Sequence, residues 1–258
     1  MPIIETLAAA GGELGRALMN ATTTPLLHKY RAVKYRRHPA AVPQTLSWDW
    51  SGKRNRIALV NLLGHDRIEG DYLEIGCDRD ELFDAVAVAN RVGVDPNRGG
   101  TIRLESDQFF ATDRRKFDVI WIDGLHTYDQ IRRDVMNSIR SLKPGGWVGI
   151  HDLLPRNWVE AYSPRLYPEG AWSGDVWKVA FELIRTEGVD FRIVNIDRGI
   201  GVFHLTAHDA QLVDLRHELE PATFAYMHAN VGKLPVIEWA DAHAWILEAK
   251  RSDGGAAK

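Results

Sequence analysis

Two pairs of an aspartate and a histidine stand out among the residues that could do chemistry. Asp123 and His126 directly follow one apolar run of the sequence. His151 and Asp152 directly follow another. Imidazole titrates near neutral pH and suits proton transfer, and imidazoles with carboxylates can hold Mg²⁺, Mn²⁺ or another divalent ion. If the two runs are neighbouring strands, the four side chains converge and form a base or a metal site.

A second group of residues surrounds Gly76, which follows the short apolar run Tyr72–Ile75. Glycine lets the backbone approach a ligand closely at the end of a strand. The further glycines of a dinucleotide-binding loop are missing, and Asp78 and Asp80 stand where a pyrophosphate would sit. S-adenosylmethionine (SAM) has no phosphate and carries a positive sulfonium and an amino group. The loop therefore favours SAM over a nicotinamide cofactor.

Three polar residues further along the chain extend this group. Asp95 ends the next apolar run, about 20 residues after Gly76, where a carboxylate can accept hydrogen bonds from both ribose hydroxyls. An ordinary loop role before Pro96 is the alternative. Ser106 and Asp107 could bind the adenine amino group, or they could cap a helix.

The elements that must position these residues alternate between strand and helix. The predicted strands are Tyr72–Ile75, Val92–Asp95, Thr101–Leu104, Phe117–Ile122 and Trp147–Ile150. The predicted helices are Arg56–Ile68, Glu81–Ala89 and Tyr128–Leu142. This alternation, with apolar strands, indicates a parallel sheet covered by helices on both faces.

The end of the pattern separates two kinds of such sheets. Phe191–Ile196 and Gly201–Leu205 are both strand-like, and the connection between them is too short for a crossover helix. They must form an antiparallel hairpin, which a nicotinamide dehydrogenase would not have at this point. The predicted fold class is α/β, a Rossmann-like doubly wound, mostly parallel seven-stranded sheet with a closing antiparallel hairpin and helical additions at both ends.

The predicted domain organisation has three parts. Residues 1–55 form a helical or irregular extension with a leading helix over 1–27, expected to pack on the body or to make a homo-oligomer contact. Lys29–Arg37 is a basic stretch that serves as an anion-binding arm or as a solvated face. Residues 56–206 form the catalytic domain, and 207–258 a helical extension whose last residues fray.

Composition limits the partners. The chain of 258 residues is 45% hydrophobic, which is enough for one sizeable core. Its 35 acidic residues exceed its 32 basic residues, so no bulk positive field attracts nucleic acid or a membrane surface. Cys77 is the only cysteine, which excludes an internal disulfide. No signal-type or membrane-spanning run is present, so a cytoplasmic protein with a small-molecule partner is expected.

The motifs resemble those of class I SAM-dependent methyltransferases, in particular the bacterial group related to sugar and antibiotic O-methyltransferases. The resemblance runs from about Asp71 to Phe203. It is carried by Tyr72–Gly76, Val94-Asp95, Ser106–Phe110, Asp118–Tyr128 and Leu142–Gly146. It implies methyl transfer from SAM to the hydroxyl of a small-molecule acceptor, a sugar or an aromatic hydroxyl.

The resemblance also assigns roles to residues. The expected cofactor-binding residues are Glu74, Gly76, Cys77, Asp95, Ser106, Asp107, Asp123 and Gly124. In metal-dependent relatives, an acid after strand four and two acidic positions after strand five hold Mg²⁺, and these places match Asp123, His151 and Asp152. The histidine among them leaves open whether it is a ligand or the catalytic base. His126 is the second candidate base.

The connection from Asp152 to Asp175 is long and contains several aromatic residues. These are Trp158, Tyr162, Tyr167 and Trp172. Long loops at this edge of a sheet are often lids, and their aromatic rings could stack on an acceptor. Packing on the domain is the alternative.

Three other functions stay open at this point. Methyl transfer to nitrogen without a metal would make the histidines more tolerant of substitution. A catalytically silent domain that keeps the fold for binding would not bind SAM. A dehydrogenase is disfavoured by the missing glycines and by the closing hairpin.

Overall fold

The computed structural model describes residues 38–166 and 170–255. The chain divides into two compact units, 1–43 and 44–258. In the first unit, the described residues form a turn in which the Ala41 amide donates to the His38 carbonyl at 2.9 Å. The predicted leading helix, the basic stretch Lys29–Arg37 and Tyr167 lie outside the described residues.

Seven strands form one sheet in the described part of the second unit. They are β1 (Asp71–Ile75), β2 (Asn90–Val94), β3 (Phe117–Ile122), β4 (Leu142–Ile150), β5 (Val189–Val194), β6 (Ile200–Leu205) and β7 (Val236–Ile237). Their order across the sheet is β2-β1-β3-β4-β6-β5-β7. Only β6 runs antiparallel to its neighbours β4 and β5. The predicted α/β fold class with a closing antiparallel hairpin is confirmed.

Seven α-helices lie among the described residues of this unit. They are α1 (Arg56–Leu63), α2 (Ser106–Thr112), α3 (Tyr128–Ser141), α4 (Lys178–Leu183), α5 (Arg216–Leu219), α6 (Phe224–Asn230) and α7 (Trp239–Gly255). The Asn55 side chain caps α1 by accepting from the Ala58 amide at 3.3 Å. Helix α1 ends at Leu63, earlier than predicted, because Gly64 follows and caps it.

The register of the parallel strands brings their carboxyl ends together. Ile75 at the end of β1 pairs with Val94 of β2 and with Ile122 of β3. Ile122 in turn pairs with Ile150 at the end of β4. The residues that follow these four strand ends therefore emerge side by side, at the edge where open α/β sheets bind ligands.

The core fills both faces of the central strands. Its largest fully buried side chains include Trp121 and Trp147, and all six residues of β3 are buried. Helix α7 belongs to this core, since Ala242 and Ile246 are fully buried in the cluster that contains β1 and β3 side chains. Helix α7 therefore packs on the body of the sheet.

The predicted helix over Glu81–Ala89 is wrong. The segment makes only single turns, with the Val86 amide donating to the Leu82 carbonyl at 3.1 Å. The Arg91 side chain donates at 2.8 Å to the Phe83 carbonyl, so a side chain occupies an acceptor that a helix would use. Burial of Val86 and Val88 then holds the segment against the core in an irregular form.

The predicted strand Thr101–Leu104 is also wrong. Only Ile102 pairs with the sheet, through an isolated bridge to Val94. The amides of Thr101 and Ile102 both donate to the Gly93 carbonyl, at 2.8 and 2.9 Å, which is a turn and not a ladder. The seventh strand is β7, whose two residues were predicted as helix.

Other outcomes concern the chain as a whole. The other predicted strands and the helix at 128–142 are confirmed within a few residues. The domain limits 56 and 206 stay a prediction. No helix in the described ranges is long and apolar enough to cross a membrane.

Candidate active site

Two adjoining cavities open at the carboxyl edge of the sheet. The inner cavity, about 560 Å³, is lined among others by Arg56, Glu74, Gly76, Asp78, Asp123, His126 and Asp197. The outer cavity, about 440 Å³, is lined among others by Gly76, Asp95, Ser106, Gly124, Leu125 and Gln130. Because both include Gly76, Asp78 and Asp123, they form one continuous site of a size that suits a small organic ligand.

Gly76 follows the end of β1 and lies directly against the loop that follows β3. Its φ of +87° lies in the left-handed region, and a Cβ added there would overlap the Asp123 carbonyl. Only glycine fits at this position. Gly76 therefore permits a close backbone approach, as expected, and the backbone that approaches it is that of Asp123.

The Asp95 carboxylate lies between two loops at the outer cavity. Oδ1 accepts from the amides of Asn97 at 2.8 Å and Arg98 at 3.0 Å, and Oδ2 accepts from the amide of Asp78 at 3.1 Å. Burial raises the pKa of Asp95, but these backbone donors lower it below its usual value. The carboxylate is thus charged, and it shapes the loops as well as lining the cavity.

Asp123, His126 and Asp152 converge beside the inner cavity. The His126 Nε2 atom lies 3.2 Å from Oδ1 of Asp123, and its Nδ1 atom lies 3.3 Å from Oδ2 of Asp152. Burial lowers the pKa of His126, but the hydrogen bond to Asp123 and the charge of Asp152 raise it above its ordinary value. One imidazole is therefore held between two carboxylates.

His151 lies deeper than His126 and does not line either cavity. Its Nδ1 atom lies 3.2 Å from Oδ2 of Asp123, and its Nε2 atom lies 3.5 Å from Oδ1 of Asp197. Burial lowers the pKa of His151, but the charges of Asp123 and Asp152 raise it to about 10. His151 is thus a buried positive charge at neutral pH, which makes His126 the better placed of the two predicted bases.

Two arginines complete the cluster, and the sequence reasoning missed both of them. Arg56 donates at 2.8 Å to Asp123 and at 2.8 Å to Asp197. Arg198 donates to both oxygens of Asp152, at 3.1 and 3.2 Å. Asp197 and Arg198 lie in the turn between β5 and β6, which was interpreted only as a hairpin. The antiparallel return of β6 places that turn at the carboxyl edge, and this signal could have identified them.

Backbone strain is concentrated at the same cluster. Among the described residues, five other than glycine have φ values in the left-handed region, and three of them belong to this cluster: Asp152 at 68°, Asp197 at 40° and Arg198 at 66°. The amides of Leu153 and Leu154 donate to the turn carbonyls of Gly199 and Arg198, at 2.9 and 3.0 Å. Such strain costs on the order of 1 kcal/mol or more per residue and is typical of functional sites.

Glu74 and Cys77 lie below the inner cavity. Burial raises the pKa of Glu74 to about 8, and the Tyr72 hydroxyl donates to this carboxyl at 2.6 Å. The Cys77 side chain is buried, and burial raises the pKa of its thiol. The predicted cofactor role of Cys77 can therefore come only from its backbone or its bulk, whereas Glu74 offers a carboxyl to a ligand.

Of the two residues predicted to bind adenine, Ser106 lines the outer cavity and Asp107 does not. Ser106 lies in the wall of the outer cavity, where its hydroxyl donates to Asp134 at 2.6 Å and accepts from Gln130 at 2.9 Å. Asp107 does not line the cavity; its carboxylate pairs with Arg133 at 3.0 Å and accepts from the Gln130 side chain at 3.3 Å. Asp107 lies on the next face of α2, so its position does not support the predicted adenine contact.

The aromatic connection after β4 covers His126. The Trp172 ring stacks on the His126 ring with a centroid distance of 5.2 Å and an interplanar angle of 25°. Trp172 is fixed by donating from its indole nitrogen to the Tyr162 carbonyl at 2.8 Å. A Cβ added at Gly174 would overlap the His126 carbonyl, so the connection packs directly on this loop. This position is compatible with the predicted lid.

The chemistry of the donor set fits a divalent metal ion. One atom each from Asp123, His126 and Asp152 lies within 4.8 Å of the others, and two carboxylate oxygens with one imidazole suit Mg²⁺ or Mn²⁺. His126 thus joins the aspartates in the place predicted for His151. Arg56 and Arg198 already pair with the two carboxylates, so a metal would share these ligands with two resident cations.

A larger cavity of about 950 Å³ lies at the opposite edge of the sheet. Several of its charged groups already have partners: Lys250 contacts Asp66, and the Asp190 carboxylate accepts from the Trp245 indole at 2.9 Å. No group of convergent ligands or bases is found there within the described ranges. We therefore assign the site to the carboxyl edge.

The strand order, the closing hairpin and this site define an α/β domain of the class I methyltransferase type. Residues 39–153 match the family model described as a methyltransferase domain. Over these residues the chain therefore matches a methyltransferase domain, which confirms the resemblance found in its motifs. No curated protein matches the chain in sequence.

Several solved structures are similar at low identity. The O-methyltransferase TomG from Streptomyces achromogenes, involved in tomaymycin synthesis and solved with SAM, is 16% identical, covers 59% of this chain and 80% of its own, and has a TM-score of 0.44. An O-methyltransferase from Bacillus cereus, in complex with S-adenosylhomocysteine (SAH), is 13% identical, with coverages of 71% and 90% and a TM-score of 0.42. At these scores, the likeness adds no argument about activity.

Proposed function

We propose that this protein transfers the methyl group of SAM to a hydroxyl of a small-molecule acceptor, a sugar or an aromatic hydroxyl. The observation that carries the proposal is His126, an imidazole held between Asp123 and Asp152 at the inner cavity. A neutral hydroxyl must lose its proton during methylation, and a positioned imidazole is the usual acceptor. Transfer to an amine, which needs no such base, is therefore the second candidate.

The residues divide into a cofactor part and an acceptor part. SAM, when bound, supplies a methyl group on a positively charged sulfur. The outer cavity provides Asp95 for the ribose and Ser106 for the adenine, and Gly76 leaves space between the cavities. At the inner cavity, Asp123 places a negative charge and Glu74 a carboxyl group that can accept a hydrogen bond, which suits a cationic ligand. The acceptor proton then passes to the hydrogen-bonded group of His126, Asp123 and Asp152, and the Trp172 ring stacks on the His126 ring.

The chain has side chains at this site that could bind a divalent metal ion. Asp123, His126 and Asp152 would hold the ion, which supplies a positive charge that polarises a hydroxyl. In a metal-bound state, the imidazole of His126 would be a ligand, and the proton of the polarised hydroxyl would leave to a solvent water. A chelator separates the two states.

The experiment that tests the function is calorimetric titration of the purified protein with SAH, followed by methyl-transfer assays on hydroxyl and amine acceptors. We expect SAH to bind and hydroxyl acceptors to react. Adding EDTA should abolish transfer if the metal state is active and should leave the rate unchanged if it is not. A folded protein that does not bind SAH would contradict the proposal and favour a catalytically silent domain.

Replacing Asp95 by alanine should weaken SAH binding by about 10-fold or more, because a charge-assisted hydrogen bond contributes about 1.5–3 kcal/mol. Asp107→Ala is the matched control, since that carboxylate lies on the surface beside Arg133. Titration calorimetry measures both variants. An unchanged dissociation constant for SAH in Asp95→Ala would show that Asp95 stabilises the two loops and does not bind the cofactor.

A further inference from the structure

Arg56, the first residue of α1, is held rigidly at the inner cavity. Its Nε and Nη2 atoms donate to the two oxygens of Asp197, at 2.8 and 3.3 Å, and its backbone amide donates to the same carboxylate at 3.1 Å. Its Nη1 atom donates to Asp123 at 2.8 Å. A guanidinium fixed from two sides loses little freedom when it binds another group.

The guanidinium still has donors to offer. An arginine side chain carries five N–H groups, and the bonds to Asp123 and Asp197 use three of them within the described residues. One N–H on each terminal nitrogen is left. The side chain is 33% exposed and lines the inner cavity, so these two donors are available to a ligand. Two adjacent N–H groups match the two oxygens of a carboxylate.

The charges around the inner cavity have a two-sided pattern. Five carboxyl groups line it, and they complement a cationic group; they belong to Glu74, Asp78, Glu81, Asp123 and Asp197. Arg56 and Arg79 are the arginines of the described lining, and Arg79 lies exposed on the loop without a hydrogen bond from its side chain among the described residues. A ligand that carries both an ammonium and a carboxylate fits this pattern, with Arg56 as the preorganised partner of the carboxylate.

We propose that Arg56 binds the α-carboxylate of the methionyl part of SAM and SAH, and that Asp197 of the hairpin turn is its positioning residue. This inference rests on the proposed function, because it assigns a part of the same cofactor to the inner cavity. The turn between β5 and β6 thereby contributes to cofactor binding without contacting the cofactor.

The test compares SAH with S-adenosyl-3-thiopropylamine, which is SAH without its carboxylate. Wild-type protein should bind SAH roughly 10- to 100-fold more tightly than the analogue, as expected for a charge-assisted pair. In Arg56→Gln this ratio should fall to about one, because the variant loses affinity only for SAH. Arg54→Gln is the matched control: Arg54 stacks over the Trp239 ring at 5.2 Å and should keep the full ratio.

The outcomes are separable. Wild-type protein that binds neither compound would overturn the proposed function. Wild-type protein that binds both equally, or an Arg56→Gln variant that keeps the full ratio, would overturn the role of Arg56 alone. If thermal unfolding shows that Arg56→Gln does not fold, Arg56→Lys decides: it keeps the charge but loses the paired donors, so the ratio should drop at least several-fold. An unchanged ratio in Arg56→Lys would contradict the inference.

Discussion

Replacing His126 by asparagine lowers kcat for methyl transfer to a hydroxyl by about 10²- to 10⁴-fold, the range that a positioned general base contributes. The reason is geometric, since the imidazole is fixed between Asp123 and Asp152 and lines the inner cavity. Asparagine keeps a similar polar shape but accepts no proton at neutral pH. Initial rates at saturating SAM and acceptor measure the effect.

Two comparisons make the His126 result specific. SAH affinity should change little in His126→Asn, because the loss concerns proton transfer and not the cofactor. His65→Asn is the control, since His65 is an exposed histidine whose Nδ1 atom lies 2.9 Å from the Leu62 carbonyl and which lines neither cavity of the site. An undiminished kcat in His126→Asn would mean that the acceptor proton leaves by another route, and it would favour transfer to nitrogen.

Replacing Gly76 by alanine should abolish detectable SAH binding, a loss of about 100-fold or more. A Cβ there would overlap the Asp123 carbonyl, so the loops after β1 and β3 must separate at the junction of both cavities. The φ of +87° adds strain of about 1–2 kcal/mol for any residue with a side chain. A 100-fold loss of affinity corresponds to roughly 2.7 kcal/mol of binding free energy.

Gly52→Ala is the matched control for this substitution. Gly52 has a φ of +67° but no atom within 4 Å of an added Cβ, so alanine there carries the backbone strain without an overlap. We expect Gly52→Ala to lower the free energy of unfolding by about 1–2 kcal/mol and to leave SAH binding unchanged. Equal SAH affinity in both variants would show that the close approach at Gly76 does not shape the site.

Patterns that depend on burial could be predicted from the sequence. The run Phe117–Ile122 is apolar except for Asp118 because β3 is covered on both faces, and its length and its neighbouring elements indicate a central strand. The short connection after Ile196 forced an antiparallel return. Since topology then fixes which strand ends are adjacent, the convergence of Asp123, His126 and Asp152 could be predicted as well.

Patterns that depend on particular side-chain contacts could not be predicted. Glu81–Ala89 has helical composition, but the Arg91 side chain and the buried Val88 decide its form. The spacing at Ser106 and Asp107 did not indicate which of the two faces the cavity. Arg56 belongs to no recognisable sequence motif. Its role follows only from the position of Asp197, which lies more than half the length of the chain away in sequence.

The two residues of β7 have a consequence for how the chain tolerates truncation. Amides at the outer side of β5 donate to carbonyls of this segment, Ile193 to Pro235 at 2.9 Å and Asn195 to Ile237 at 2.8 Å. A chain cut near residue 206 would leave β5 with unpaired donors at the border of the sheet, a surface on which polypeptides aggregate. The C-terminal segment thus covers the border strand β5, and a shortened chain should keep the residues up to the end of α7.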